Sequence, residues 1–152
     1  MVEEAKGAKE VLEIGTFRGG TSFLFYKLLG ANVTTVDLKI PILTRLVLSY
    51  KSNGKIRLIQ GDSHDEETLK KVSDRKYDLL FIDGDHSYEG VKKDFEMYSP
   101  LVRKGGLVAF HDILSEEGVN RFWNEIKRAR YKSQEISNNV RKKPLGIGVL
   151  KL

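Results

Sequence analysis

The residues best suited to chemistry follow two short apolar runs. Phe81-Ile82 leads into Asp83-Gly84-Asp85-His86, and Ala109-Phe110 leads into His111-Asp112. Carboxylates grouped with imidazole can hold a divalent cation or move a proton. The chain has no cysteine, which excludes disulfides, thiolate nucleophiles and cysteine-ligated zinc. A carboxylate-rich set then suits a hard cation such as magnesium. The competing reading is a hydrogen-bonded polar loop with a helix cap at Ser87.

Three further sites lie upstream. Val11-Leu12-Glu13-Ile14 runs into Gly15-Thr16-Phe17-Arg18-Gly19-Gly20. A glycine turn between a strand and a helix lets backbone approach a ligand at the helix N-terminus. The spacing is not G-x-G-x-x-G, because Phe17 stands where a dinucleotide loop needs its second glycine. Glu13 before the turn suits a cationic ligand group better than a diphosphate. Asp37 ends the next apolar run about 20 residues on, where nucleoside-binding folds place a ribose ligand. Asp62, at a third such exit, can meet adenine or its ribose, or serve equally as a turn residue alone. His64, just beyond, reads as solvated.

The elements that position these residues alternate strand and helix. Strands are expected over Val11–Gly15, Asn32–Asp37, Lys55–Gln60, Tyr77–Asp83 and Leu107–Phe110. A closing hairpin-like pair is expected over Ser133–Ser137 and Gly146–Leu150, joined by the basic loop near Lys142. The apolar segment Thr21 to Leu29 predicts the first helix. Leu43, Leu46, Val47 and Tyr50 give the second helix its inward stripe, and Tyr88, Val91, Phe95 and Tyr98 give another helix its own. Ser63 with Glu66 reads as a capping box, Ser115 as a helix cap, and Met1 to Glu10 as the frayed end of a helix. This alternation predicts an α/β fold, a doubly wound, mostly parallel sheet with an antiparallel C-terminal strand. In the order 3-2-1-4-5 the Gly15 loop and the Asp83 loop flank one crevice, and Asp83 or Asp85 faces His111 and Asp112.

With 152 residues the chain suits a single domain spanning 1–152. There is no membrane-length apolar run and no secretory signal, so a cytoplasmic protein with no membrane partner is expected. Net charge is +5. The densest basic stretches, Lys127-Arg128-Ala129-Arg130 and Arg141-Lys142-Lys143, read as a solvated helix face and loop rather than a nucleic-acid footprint.

Taken together, Glu13-x-Gly15-x-x-x-Gly19, the long stretch Ile82 to Asp94, Lys104-Gly105-Gly106 and His111-Asp112 resemble the class I S-adenosylmethionine-dependent methyltransferases. More narrowly they resemble small-molecule O-methyltransferases. That group includes sugar O-methyltransferases and cephalosporin-hydroxylase-like proteins, and it is related to the catechol O-methyltransferases. The resemblance spans about Val11 to Asp112. It implies a Rossmann-like methyltransferase sheet, S-adenosyl-L-methionine as methyl donor and a divalent cation, magnesium. By position it implies that Glu13, Gly15 and Gly19 line the methionine end, that Asp37 holds the ribose and that Asp62 lies near the adenine. It further implies Asp83 and Asp112 as metal ligands with His111 beside them. His86 falls where catechol-type enzymes have a lysine general base.

The chain departs from that pattern in two places. Catechol-type enzymes present Asp-Asn after the fifth strand, whereas here the pair is His111-Asp112, which leaves open which of Asp83, Asp85 and His111 completes the metal site. The first strand begins almost at once, so the helices that often cover the substrate in this group are expected to be missing. The pocket is then open, or a second subunit of a homo-oligomer completes it. The expected acceptor is a small-molecule hydroxyl, phenol or sugar. Competing readings are a nucleic-acid methyltransferase, a non-catalytic cofactor-binding or assembly module, and a nicotinamide dehydrogenase. Phe17 argues against the last, and the lack of an Asn/Asp-Pro-Pro-aromatic motif argues against the amino-methylating subset of the first.

Overall fold

The computed structural model describes residues 2–129, 131–138 and 144–152. Arg130 and the Arg141-Lys142-Lys143 stretch with its loop lie outside the described residues. Seven strands form one sheet: β1 (Glu10–Ile14), β2 (Asn32–Asp37), β3 (Ile56–Gln60), β4 (Tyr77–Ile82), β5 (Val102–Phe110), β6 (Lys132–Asn138) and β7 (Leu145–Lys151). Their order is β3-β2-β1-β4-β5-β7-β6. The first five run parallel, and β7 joins β5 antiparallel, with β6 outside it.

The central strands are buried almost throughout because both faces of the sheet are covered. Leu12, Ile14, Leu80, Ile82, Val108 and Phe110 pack toward α3 (Glu66–Val72), α4 (Tyr88–Tyr98) and α5 (Glu117–Ile126). Val11, Val33, Leu79, Phe81 and Ala109 pack toward α1 (Gly20–Leu29) and α2 (Ile42–Lys51). Successive side chains point to opposite faces, so one apolar run feeds both layers.

The strand register sets the functional edge. Ile14 is level with Val36 on one side and with Ile82 on the other, and Ile82 is level with Phe110. The ladder carries on one step past the strands: the Asp83 amide donates to Ile14 O at 2.8 Å, and the His111 amide to Ile82 O at 3.0 Å. Gly15, Asp37, Asp83 and His111 therefore leave the sheet along one edge.

Four local expectations are corrected. The stripe of α2 does not face inward: Leu43, Leu46, Val47 and Tyr50 are 69%, 62%, 47% and 85% exposed, and Thr44 and Leu48 take the buried side. Each forgoes much of the roughly 1.5–3 kcal/mol that full burial of such a side chain supplies. Ser63 does not cap α3. The N-cap is Asp65, without a side-chain bond, because the Asp62 carboxylate turns the chain first by accepting the His64 amide at 2.8 Å. Ser115 does not cap α5, which starts after Glu116. Its hydroxyl instead donates to Asp112 Oδ1 at 2.8 Å. Residues 2–7 form turns rather than a helix end, with Ala5 and Ala8 buried in the apolar layer that holds Val11 and Phe25. Among the described residues, no helix is long and apolar enough to cross a membrane.

Candidate active site

A cleft of about 680 Å³ opens at this carboxyl edge, lined among others by Gly15, Phe17, Asp37, Asp62, Asp83 and His86. The strand ends that approach it come from β1, β2, β3, β4 and β5, so the loops that meet there come from across the sheet. Ligands of open α/β sheets sit at such an edge, where the strand order reverses. Here it reverses between β1 and β4.

The glycine loop is held from two sides. Gly15 has φ 99°, and a Cβ there would overlap the carbonyl of Asp83. Both the geometry and the space exclude a side chain. Asp37 grips the loop from the other side: its Oδ2 accepts the Thr16 and Phe17 amides at 2.8 and 2.7 Å, and its Oδ1 accepts the Lys39 amide at 3.0 Å. Gly19, at φ 77°, is the N-cap of α1. A Cβ there would run into Leu48 of α2, so this glycine serves helix packing and lies outside the cleft lining.

Glu13 also stands behind the lining. It is fully buried. Its Oε2 accepts the Thr35 hydroxyl at 2.6 Å and the Ser22 hydroxyl, while Oε1 has no hydrogen-bond partner. Burial pushes its carboxyl up to about 8, against the pull of those two hydroxyls. A buried, half-satisfied carboxyl two residues before Gly15 fits a cationic group brought to the loop, because such a charge offsets the cost of ionising it.

At the other end of the cleft, Asp62 and Ser63 are joined by a residue pair that sequence reading missed. His64 Nε2 lies 3.3 Å from Asp94 Oδ1 on α4, and the Asp94 side chain is fully buried. Burial raises the Asp94 carboxyl to about 6. Tyr98 donates its hydroxyl to Ser63 O at 2.6 Å and fixes the same turn. His64 is thus half-buried and paired, not solvated. The signal was available: Asp94 interrupts the apolar stripe of Val91, Phe95 and Tyr98, and a charge on a buried face needs a partner.

The acidic tip lies between these ends. Asp83 Oδ1 is 3.3 Å from His86 Nε2 and 3.2 Å from His111 Nδ1. His111 Nδ1 is 3.1 Å from Asp112 Oδ2. The imidazole sits at ion-pair distance from both carboxylates without a well-directed hydrogen bond to either. Asp83, with Asp112 behind it, lifts His111 to about 9 against the effect of burial. Asp112 adopts φ 59°, a left-handed conformation that outside glycine is met mostly in asparagine and aspartate. Asp85 turns away: its carboxylate accepts the Ser87 amide at 2.8 Å and packs where a Cβ on Gly90 would be. Ser87 caps α4 by accepting the Gly90 amide at 3.0 Å.

For a cation, the donor atoms that converge are those of Asp83, His86 and Asp112, all within 4.8 Å of one another. Two carboxylate oxygens and one imidazole nitrogen fit a divalent ion completed by water or substrate oxygen. The expected set had His111 in place of His86. Both imidazoles reach Asp83, at 3.3 Å for His86 and 3.2 Å for His111, so either can supply the third donor. Asp85 is not part of the converging set.

A family model described as a methyltransferase domain matches residues 12–113. An uncharacterized protein of Acanthamoeba polyphaga mimivirus is 32% identical over 136 residues, which cover 79% of this chain and 62% of that protein. The mycinamicin VI 2''-O-methyltransferase of Micromonospora griseorubida is 38% identical over 67 residues, 43% of this chain and 17% of that protein. The chain thus spans less than two thirds of the length of these curated relatives. Among solved structures, a Bacillus cereus O-methyltransferase in complex with S-adenosylhomocysteine superposes with TM-score 0.76 at 20% identity, covering 96% of this chain and 75% of that one. The MycE methyltransferase of the mycinamycin biosynthetic pathway, in complex with magnesium and S-adenosylhomocysteine, gives TM-score 0.58 at 27% identity, over 69% of this chain and 28% of that one.

Proposed function

The chain belongs to this methyltransferase domain family, and on that footing we propose that it transfers a methyl group from S-adenosyl-L-methionine to the hydroxyl of a small molecule, a phenol or a sugar, assisted by a divalent cation. The observation that carries the reading is one cleft lined by Gly15, Asp37, Asp83, His86 and Asp112. Nucleoside-binding loop and acid-imidazole cluster face the same space.

Asp37 orders the glycine loop through Oδ2 and keeps a lone pair on Oδ1 for a ribose hydroxyl. Glu13, from behind the loop, balances the positive charge of an amino-acid end. Asp62 and the His64–Asp94 pair close the far end, where a purine fits. Bound there, the donor presents its sulfonium methyl for in-line displacement, so holding the acceptor oxygen near 3–3.5 Å from that carbon carries much of the rate. A divalent ion held by Asp83 and Asp112, with His111 as the third donor, would lower the pKa of an acceptor hydroxyl and fix its direction. His86, partly exposed in the cleft wall, is the residue placed to remove the hydroxyl proton. It cannot ligate and accept a proton through the same nitrogen at once. Where His111 takes the metal, as first expected, His86 is left free as base.

The support from relatives is specific in kind: a curated relative is a 2''-O-methyltransferase, and a solved neighbour holds magnesium with S-adenosylhomocysteine. The test is methyl transfer from labelled S-adenosyl-L-methionine across a panel of phenols and sugars, with and without magnesium. His86→Ala is expected to lower turnover by about 10²–10⁴ while S-adenosylhomocysteine affinity stays at the parent level. Transfer to no hydroxyl acceptor, or equal loss of turnover and affinity, contradicts the assignment.

A further inference from the structure

The outward stripe of α2 has a consequence for where the protein works. Ile42, Leu43, Leu46, Val47 and Tyr50 are all largely exposed. At about 100° per residue they cover an arc of about 140° on one side of the helix. Thr44 and Leu48 hold the opposite side against the fold. Phe17 and Leu38, at the mouth of the cleft, are 73% and 68% exposed. Isolated exposed apolar residues are ordinary, but seven large ones grouped on a helix and the loops beside it mark a contact surface.

Charge selects the kind of partner. Between Ile14 and Ile59 the chain carries seven lysines and arginines and one acid, Asp37, whose carboxylate is occupied by loop amides. Lys39, Arg45 and Lys51 flank the apolar arc. The Arg18 guanidinium lies 5.3 Å from the Phe17 ring centroid and the Lys51 ammonium 5.9 Å from that of Tyr50, so each exposed aromatic carries its own cation. Two copies of this chain meeting here would set cation against cation. Nucleic acid would meet mainly aliphatic side chains, which stack no bases. The surface is a ridge of projecting side chains, and a fluid, anionic bilayer accepts such a ridge without needing a complementary groove.

We propose that α2, with Phe17 and Leu38, is a peripheral membrane-binding surface that inserts its apolar side chains into lipid while Arg18, Lys39, Arg45 and Lys51 meet anionic headgroups. The expectation of no membrane partner rested on the lack of a spanning run, and it counted the apolar stripe of this helix as core. Burying a helix face at the lipid boundary needs neither a span nor a core position. The proposal is independent of the chemistry assigned to the cleft, because vesicle binding is read without donor or acceptor.

The test is co-sedimentation of the full chain with vesicles of phosphatidylcholine alone and of phosphatidylcholine mixed with phosphatidylglycerol. The chain is expected to bind the anionic vesicles at least about tenfold more tightly than the neutral ones, less so as salt rises. The triple variant Leu43→Ser/Leu46→Ser/Tyr50→Ser is expected to lose that binding by about tenfold or more while melting like the parent. A separate Leu46→Trp variant is expected to show a blue-shifted emission on adding anionic vesicles. No binding to anionic vesicles overturns the proposal, as does equal binding to neutral ones. So does a dimer, or capture of an acidic amphipathic peptide, that the triple variant abolishes while vesicles are ignored.

Discussion

The α-carbon of Gly15 faces the carbonyl of Asp83 so closely that a Cβ there would overlap it. One contact thereby ties the glycine loop after β1 to the acidic tip after β4. Gly15→Ala must push the two loops apart and also hold an alanine at φ 99°. A destabilisation of at least about 2 kcal/mol is expected, from strain and overpacking together. Urea unfolding measures it, and a variant as stable as the parent would refute the contact.

Asp37 anchors Thr16 and Phe17 through their amides. Asp37→Ala frees the loop and removes the acceptor assigned to the ribose. Charge-assisted hydrogen bonds are worth about 1.5–3 kcal/mol each, so S-adenosylhomocysteine affinity should fall by about tenfold or more. Calorimetry reads the change, and an unaltered affinity would remove Asp37 from the nucleoside site.

Glu13 makes stability depend on pH in an unusual direction. Its carboxyl stands at about 8 in the folded chain and near the ordinary glutamate value of about 4.3 when unfolded. Between those values the folded state holds the extra proton, so stability falls as pH rises, by at most about 1.4 kcal/mol per pH unit. The contribution is fully present below the unfolded value and gone above about 8. Glu13→Gln cannot ionise, so its melting temperature should lose this decline between about pH 4 and pH 8. Parallel pH profiles for parent and variant would show that Glu13 does not hold the proton.

Asp112 tests the cation. Its φ of 59° is one that asparagine tolerates, so Asp112→Asn keeps the backbone and removes the charge. Magnesium affinity is expected to drop by about tenfold or more, with the nucleoside affinity unchanged. Magnesium titration calorimetry decides it: parental affinity in the variant places the ion elsewhere.

Much of this edge was legible from the chain alone. The strand exits at Gly15, Asp37, Asp62, Asp83 and His111 stood out as glycines, acids or a histidine, and the order 3-2-1-4-5 taken for a doubly wound sheet puts the reversal between the first and fourth strands, as the structure has it. Other features were not legible, for identifiable reasons. A helical period shows that α2 has an apolar face, but not whether that face meets the sheet. Thr44 and Leu48 settle it by packing against Gly19. The Ser63–Glu66 spacing matches a capping box, yet the Asp62 carboxylate takes the turn first. Ser115 is drawn to Asp112 for the same reason, since a nearby carboxylate outcompetes a helix end for a hydroxyl. Asp94 could have been found as the one charge on a buried stripe, although its partner His64 is thirty residues away in sequence.

The most direct measurement is a titration with S-adenosylhomocysteine followed by backbone amide NMR. One saturable site per chain is predicted, with the amides of Gly15, Asp37, Asp62 and Asp83 shifting together as it fills. No binding, or binding that moves a different edge of the sheet and leaves those four amides still, would contradict a shared cleft.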